Sequence, residues 1–118
     1  MGVVLAVVTW QWFGDDGRVN LDVFAELVQQ RAARWSAAGI ESEFQFGKRT
    51  EKPAAWVICS TAWSAGQLIV WVTGEADLSW VFLAGDKAGC TEHYEITSEI
   101  GLIGALDDLT DHLMCRRP

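Results

Sequence analysis

Cations, paired cysteines and long apolar runs are all scarce in this chain. Lys and Arg number 9 against 16 Asp and Glu, a formal net charge of −7 over 118 residues. A protein that binds nucleic acid without sequence preference needs cations to displace counterions from phosphates, so that class is excluded; a basic partner is not. There are 3 cysteines, Cys59, Cys90 and Cys115, with no C-x-x-C pair. This excludes the even, dense disulfide framework of a small secreted domain and points to the inside of the cell. The most apolar run, Val3 to Val8, meets Thr9, Gln11 and Asp15-Asp16, far short of the ~20 residues a membrane helix needs. It also lacks the preceding Lys or Arg and the small-residue cleavage site of a signal peptide. The expectation is a cytoplasmic chain with no membrane partner. There are 2 prolines, and half of the residues are apolar, enough to offset the entropy of ordering a single domain over 1–118.

What is present has clear periodicity. Residues 3–13, rich in Val and Trp, read as a strand that ends in the turn Gly14-Asp15-Asp16-Gly17. Asn20 is an N-cap for a helix over 20–38, with Leu21, Phe24, Val28, Arg31, Ala32 and Trp35 at helical spacing and Gly39 at the left-handed C′ position. The period then drops to two. Phe44 and Phe46 alternate with Glu41, Glu43 and Gln45, and Trp56 and Ile58 lie opposite Val57 and Cys59 in a strand over 54–60. Further strands are expected over 67–73, 78–84 and 90–96, with Thr61–Gly66, a Gly74–Asp77 hairpin tip and Gly85–Gly89 as turns. Thr97 or Ser98 caps a helix over 98–113, whose stripe is Ile100, Ile103, Leu106, Thr110 and Leu113, flanked by Leu102 and Leu109. Gly101 and Gly104 would let it approach the sheet. Short connections between successive strands imply antiparallel pairing. The predicted architecture is α+β: an antiparallel five-stranded meander with two helices on one face, plus the extra N-terminal strand.

Catalytic patterns are missing. Cys90-x-x-His93 with His112-x-x-Cys115 has the residue types of a zinc site. Positions 90 and 93 differ by an odd number, however, so on one strand they point to opposite faces. Asp107, Asp108 and Asp111 read as a solvated helix face, with Asp108 and His112 one turn apart and able to pair. No G-x-S-x-G elbow, G-x-G-x-x-G or Walker sequence occurs. No catalytic residue, metal or cofactor is expected.

The 7 tryptophans exceed what one thin core easily holds, and Trp is over-represented among interface hot spots. A single meander leaves one sheet face open, so Trp71 or Trp80 is expected there, ringed by Glu41, Glu43 and Glu95. The outward positions Glu75, Asp77, Glu92 and His93 extend that border. An aromatic centre with an acidic rim suits a basic protein surface.

Gly66-Gln67-Leu68-Ile69-Val70-Trp71 followed by Gly74-Glu75-Ala76-Asp77-Leu78 resembles the central hairpin of the TriTu-type immunity proteins of bacterial polymorphic toxin systems. Glu92-His93-Tyr94-Glu95-Ile96-Thr97-Ser98 is similar to that family's closing segment. Ala37-Ala38-Gly39-Ile40-Glu41, and Glu51-Lys52-Pro53 before a strand, also fit. The likeness covers roughly 20–114 and leaves the 1–19 strand and turn outside. It implies a small cytoplasmic protein that binds and neutralises a cognate toxin, and it implies no catalytic residue. Two readings of other classes stand beside it: a small-molecule-binding or minor enzymatic domain with its ligand on the open sheet face, and a homodimer joined through the Trp-rich face.

Overall fold

The structure is a computed structural model that describes residues 18–48, 51–83 and 89–115. The N-terminal strand and its turn lie outside these residues, as does most of the 85–89 turn. The elements run α1 (Leu21–Ala37), β1 (Glu41–Phe46), β2 (Ala54–Ser60), β3 (Ser64–Trp71), β4 (Glu75–Phe82), β5 (Cys90–Glu95) and α2 (Glu99–Met114). The five strands stand in sequence order, each antiparallel to the next. Both helices cover the same face, which is the expected α+β meander.

Local chemistry sets both ends of α1. The Asn20 side-chain oxygen accepts the Asp22 N–H at 3.0 Å, satisfying one of the orphan donors of the first turn. At the other end Gly39, at φ +83°, lets the Gly39 and Ile40 N–H groups return to the Ser36 and Trp35 carbonyls at 3.1 and 2.8 Å. Ile40 is thereby turned under the helix and buried. Val23, Phe24, Val28, Arg31 and Trp35 form the buried stripe.

The β2–β3 turn is shorter than the sequence suggests. Thr61 Oγ1 accepts the N–H groups of Trp63 and Ser64 at 3.2 and 3.0 Å, so three residues make the reversal and β3 already begins at Ser64. The β3–β4 turn is also displaced. Gly74 N–H bonds the Trp71 carbonyl at 2.9 Å with φ +96°, and β4 starts at Glu75. Glu75 and Asp77 are therefore strand residues, opposite Glu95 and His93, and not the tip of a hairpin.

Inward positions alternate along the strands: Ala55, Val57 and Cys59 on β2, Leu68 and Val70 on β3, Ala76 and Leu78 on β4. They meet Leu102, Ala105, Leu106, Leu109 and Leu113 of α2. The expected stripe on α2 is thus rotated: the flanking Leu102 and Leu109 are core, and Ile100 is 80 % exposed. Two side-chain donors where the β2–β3 turn enters β3, Ser64 Oγ and Trp63 Nε1, both bond the Leu113 carbonyl, at 2.9 and 3.0 Å. They satisfy an acceptor in the last turn of the helix that has no partner within it. The helices are tied to each other by Arg31 and Asp107 at 2.7 Å and by Trp35 Nε1 donating to Thr110 Oγ1 at 2.9 Å.

Close approach of α2 to the sheet depends on Gly66, on the strand, and not on the helix glycines. A Cβ on Gly66 would lie 2.8 Å from Leu109 Cδ1, whereas one on Gly104 would meet nothing within 4 Å. Gly104 is exposed, so Gly104→Ala should add up to about 1 kcal/mol through helix propensity. The check is thermal denaturation, with a midpoint rise of about 4 °C.

Candidate functional site: the open face of the sheet

No element among the described residues covers the second face of the sheet. The register assembles it row by row. Gln45, Trp56, Ile69, Asp77 and His93 form one row, and Glu43, Ile58, Gln67, Ser79 and Thr91 form the next. Trp71 lies beyond the first row, next to Ala54 on β2, and Glu75 faces Glu95 on the other side. The centre is therefore apolar, made by Trp56, Ile58, Ile69 and Trp71. Carboxylates border it on both flanks: Glu41 and Glu43 on β1, and Glu75, Asp77 and Glu95 on β4 and β5. Of the residues picked from the sequence, Glu41, Glu43, Trp71, Glu75, Asp77, His93 and Glu95 all belong to this face.

Trp80 and Glu92 do not. Trp80 shares the parity of Leu78 and so points to the helices, where its ring stacks on His112 with centroids 3.7 Å apart and planes 6° from parallel. Glu92 is paired with Leu78 across the β4–β5 ladder and points the same way. Its Oε1 is 3.5 Å from His112 Nε2. The Tyr94 hydroxyl lies 2.9 Å from Glu92 Oε2 and 2.8 Å from Asp108 Oδ2. Burial and then these carboxylates push the Tyr94 phenol far above its usual range, so it stays a neutral donor. Asp108 is engaged with Tyr94, not with His112. The group pins β5 to α2.

The acidic flank carries its own basic side chains. Lys52 Nζ is 2.7 Å from Glu75 Oε2 and 5.4 Å from the centre of the Trp71 ring. The Lys52 hydrogen bond is the main cause that holds the Glu75 carboxyl below its ordinary value. His93 Nδ1 is 2.7 Å from Asp77 Oδ1, and its Nε2 is 3.7 Å from Glu95 Oε1. The hydrogen bond to Asp77, ahead of the other effects, raises the His93 pKa. A raised folded value means that the His93–Asp77 pair contributes stability below the ordinary His value near 6.5. That contribution is lost as pH climbs through the raised folded value. An NMR titration of the His93 ring should show a midpoint above the ordinary value, and Asp77→Asn should bring it back down.

Beside the apolar centre is a depression of about 420 Å³ lined by Ile58, Ala65, Gln67, Ser79, Val81 and Thr91 among others. Ala65 is a small side chain in its lining. A larger hollow of about 590 Å³ at the α1–β1 junction is lined by residues such as Ser36, Gly39 and Ser42, with no convergent charged pair.

The residues with nucleophile or ligand chemistry are dispersed. Cys59 is fully buried, and burial pushes its thiol up to about 12, which leaves no thiolate at neutral pH. Cys90 and His93 point to opposite faces of β5, as the strand period requires. Among the described residues no three His, Cys, Asp or Glu side chains gather as a metal site. No helix among them is long and apolar enough to cross a membrane.

Trp56, Ile58, Ile69 and Lys52 join the site beyond the residues expected from the sequence. For the first three the signal is parity: Trp56 and Ile58 are opposite the core pair Val57 and Cys59, and Ile69 is opposite Leu68. Compared with known proteins, the chain matches no family model, no curated protein and no solved structure.

Proposed function

We propose that the chain is a non-enzymatic immunity protein that binds and neutralises a cognate bacterial toxin in the cytoplasm, through the open face of its sheet. The observation that carries this reading is the composition of that face. Two tryptophans and two isoleucines stand on adjacent strands with no covering element among the described residues, and carboxylates flank them on both sides. Partly exposed aromatics inside a charged border make a docking surface, since the ring area stabilises the complex and the border selects the sign of the partner. The net charge of −7 favours a basic partner. The likeness of 66–78 and 92–98 to TriTu-type immunity proteins points the same way.

The test is co-expression with the product of the neighbouring gene, which on this reading arrests growth when expressed alone. Protection of growth and co-purification are expected for the natural chain. Loss of both is expected when Trp56 and Trp71 are replaced together by Ser, with the fold checked by circular dichroism. Protection that survives this double change would move the interface off the sheet.

One further observation favours a second reading. The depression beside Ile58 and Val81 has the volume and apolar lining of a small-ligand site, with Gln67, Ser79 and Thr91 as polar groups. Filling it with Ala65→Leu should then abolish function, whereas a protein interface centred on Trp71 would tolerate the change.

A further inference from the structure

We infer that the element received by the open face is a basic amphipathic α-helix of the partner, lying along β2 and β3. The inference rests on the docking role just proposed and adds the shape of the occupant.

The argument is one of widths and charge. The four central apolar residues, Trp56, Ile58, Ile69 and Trp71, stand on two neighbouring strands, β2 and β3. The nearest carboxylates on each side stand one strand further out, Glu43 on β1 and Asp77 on β4. At ~4.8 Å between strands, three spacings put Glu43 and Asp77 roughly 14 Å apart across the sheet. An α-helix with its side chains is about 10–12 Å across. Laid over β2 and β3, it buries one apolar stripe on the tryptophans and isoleucines. Both of its shoulders then come above carboxylates.

An extended strand on this face would reach only one carboxylate row. A strand added at a sheet edge would not touch Trp56 or Trp71 at all. Length agrees as well: from the level of Trp71 to that of Ile58 is four residues of strand, or about 13 Å, which is the rise of about nine helical residues. The ligand chemistry is therefore Lys or Arg on both borders of an apolar stripe with anchors at i, i+3, i+4 and i+7. Lys52 and His93 already sit against Glu75 and Asp77. The incoming cations take over carboxylates that the fold already pairs with basic side chains.

The experiment uses the full chain and three synthetic 18-residue peptides of leucine and lysine, measured by calorimetry and by tryptophan emission. The first carries lysines on both shoulders of a leucine stripe. The second has the same composition with every lysine on one shoulder. The third repeats the first with a central proline to break the helix. The two-shouldered helix is expected to bind best, with the proline peptide weakened by about 10-fold or more, which is ~1.4 kcal/mol. Glu43→Lys and Asp77→Lys should each weaken the first peptide by roughly 3-fold to 10-fold. Asp111→Lys, an exposed change on α2, should leave it within about 2-fold. Glu43 is exposed on the edge strand, so its variant keeps the test valid if Asp77→Lys disturbs the His93 pair.

Equal binding of the proline or one-shouldered peptide overturns the inference, as does an equal loss from Asp111→Lys, which would mean simple charge attraction. A face taken by a second copy, or by another part of the same chain, would show as no peptide binding and also overturns it. If the toxin still co-purifies and is released by the Trp56 and Trp71 double change while the peptides are not discriminated, only the helical form of the partner falls. If the toxin does not co-purify, the docking role itself falls.

Discussion

Gly66→Val is expected to cost about 3 kcal/mol of folding stability, seen as a lower midpoint in denaturant with an unchanged slope. A Cβ at this position would come within 2.8 Å of Leu109 Cδ1, 3.2 Å of Leu113 Cδ2 and 3.0 Å of the Ser79 carbonyl oxygen. The two leucine methyl groups can rotate, but the carbonyl belongs to the β3–β4 ladder and cannot yield without breaking strand pairing. Valine adds two more methyl groups in the same space. Relief requires α2 to lift, and lifting it pulls the Leu113 carbonyl from Ser64 and Trp63 and loosens the Leu106 and Leu109 contacts. Gly66→Ala should cost less, because only one carbon must be accommodated. An alanine variant as stable as the natural chain would show that α2 can slide freely over the sheet.

Trp71→Ala is expected to speed dissociation of the proposed toxin complex by about 30-fold, the kinetic form of a 2 kcal/mol hot spot, with little change in association rate. Trp71 offers its ring on the open face, and Lys52 rests over it without burying it. Removing the ring deletes apolar area at the centre of the proposed contact and frees Lys52 from one partner, while Glu75 still holds it. Charge reversal at Glu43 should give the complementary pattern, with slower association and a shallower salt dependence, because the edge carboxylate acts before contact is made. Stopped-flow association and competition dissociation separate the two. A Trp71 variant that dissociates at the natural rate would remove the tryptophan from the interface.

The sheet order and both helices were legible in the sequence because each rests on local chemistry. Asn20 and Ser98 are caps, Gly39 is a left-handed stop, and the change of period after Ile40 needs no tertiary knowledge. Turn boundaries were less legible. The Thr61 hydroxyl captures two N–H groups and compresses the β2–β3 reversal, whereas the residues alone read as a longer loop. The misplaced hairpin tip follows from treating Gly74 as the start of the turn when it is the end.

The sidedness of the site was present but needed one reference residue. With Leu78 inward, Trp80 and Phe82 share its face, and His93 and Glu95 take the other. Choosing between Trp71 and Trp80 by residue type alone could not reveal this. The rotation of the α2 stripe was not legible, because Leu102, Ile103, Leu106 and Leu109 satisfy two overlapping helical stripes. Only the packing against Gly66 selects one. Lys52 was hidden for a different reason: its loop is far from β4 in sequence, and only the folded sheet brings it to Glu75.

The strict neighbour-to-neighbour order of the meander has a kinetic corollary. Every strand pair is joined by a short connection, so the sheet can zip together hairpin by hairpin with small loop-closure cost. The bonds that seal the molecule are of another kind: Trp35 reaches Thr110 across 75 positions and Ser64 reaches Leu113 across 49. The first requires both helices to have arrived on the same face, and the second requires α2 to have docked on the sheet. Substitutions within the β3–β4 hairpin should therefore slow folding, whereas loss of the Trp35 or Ser64 bond should chiefly hasten unfolding. The lifetime of the folded chain is then set where its last helix meets the first helix and the sheet.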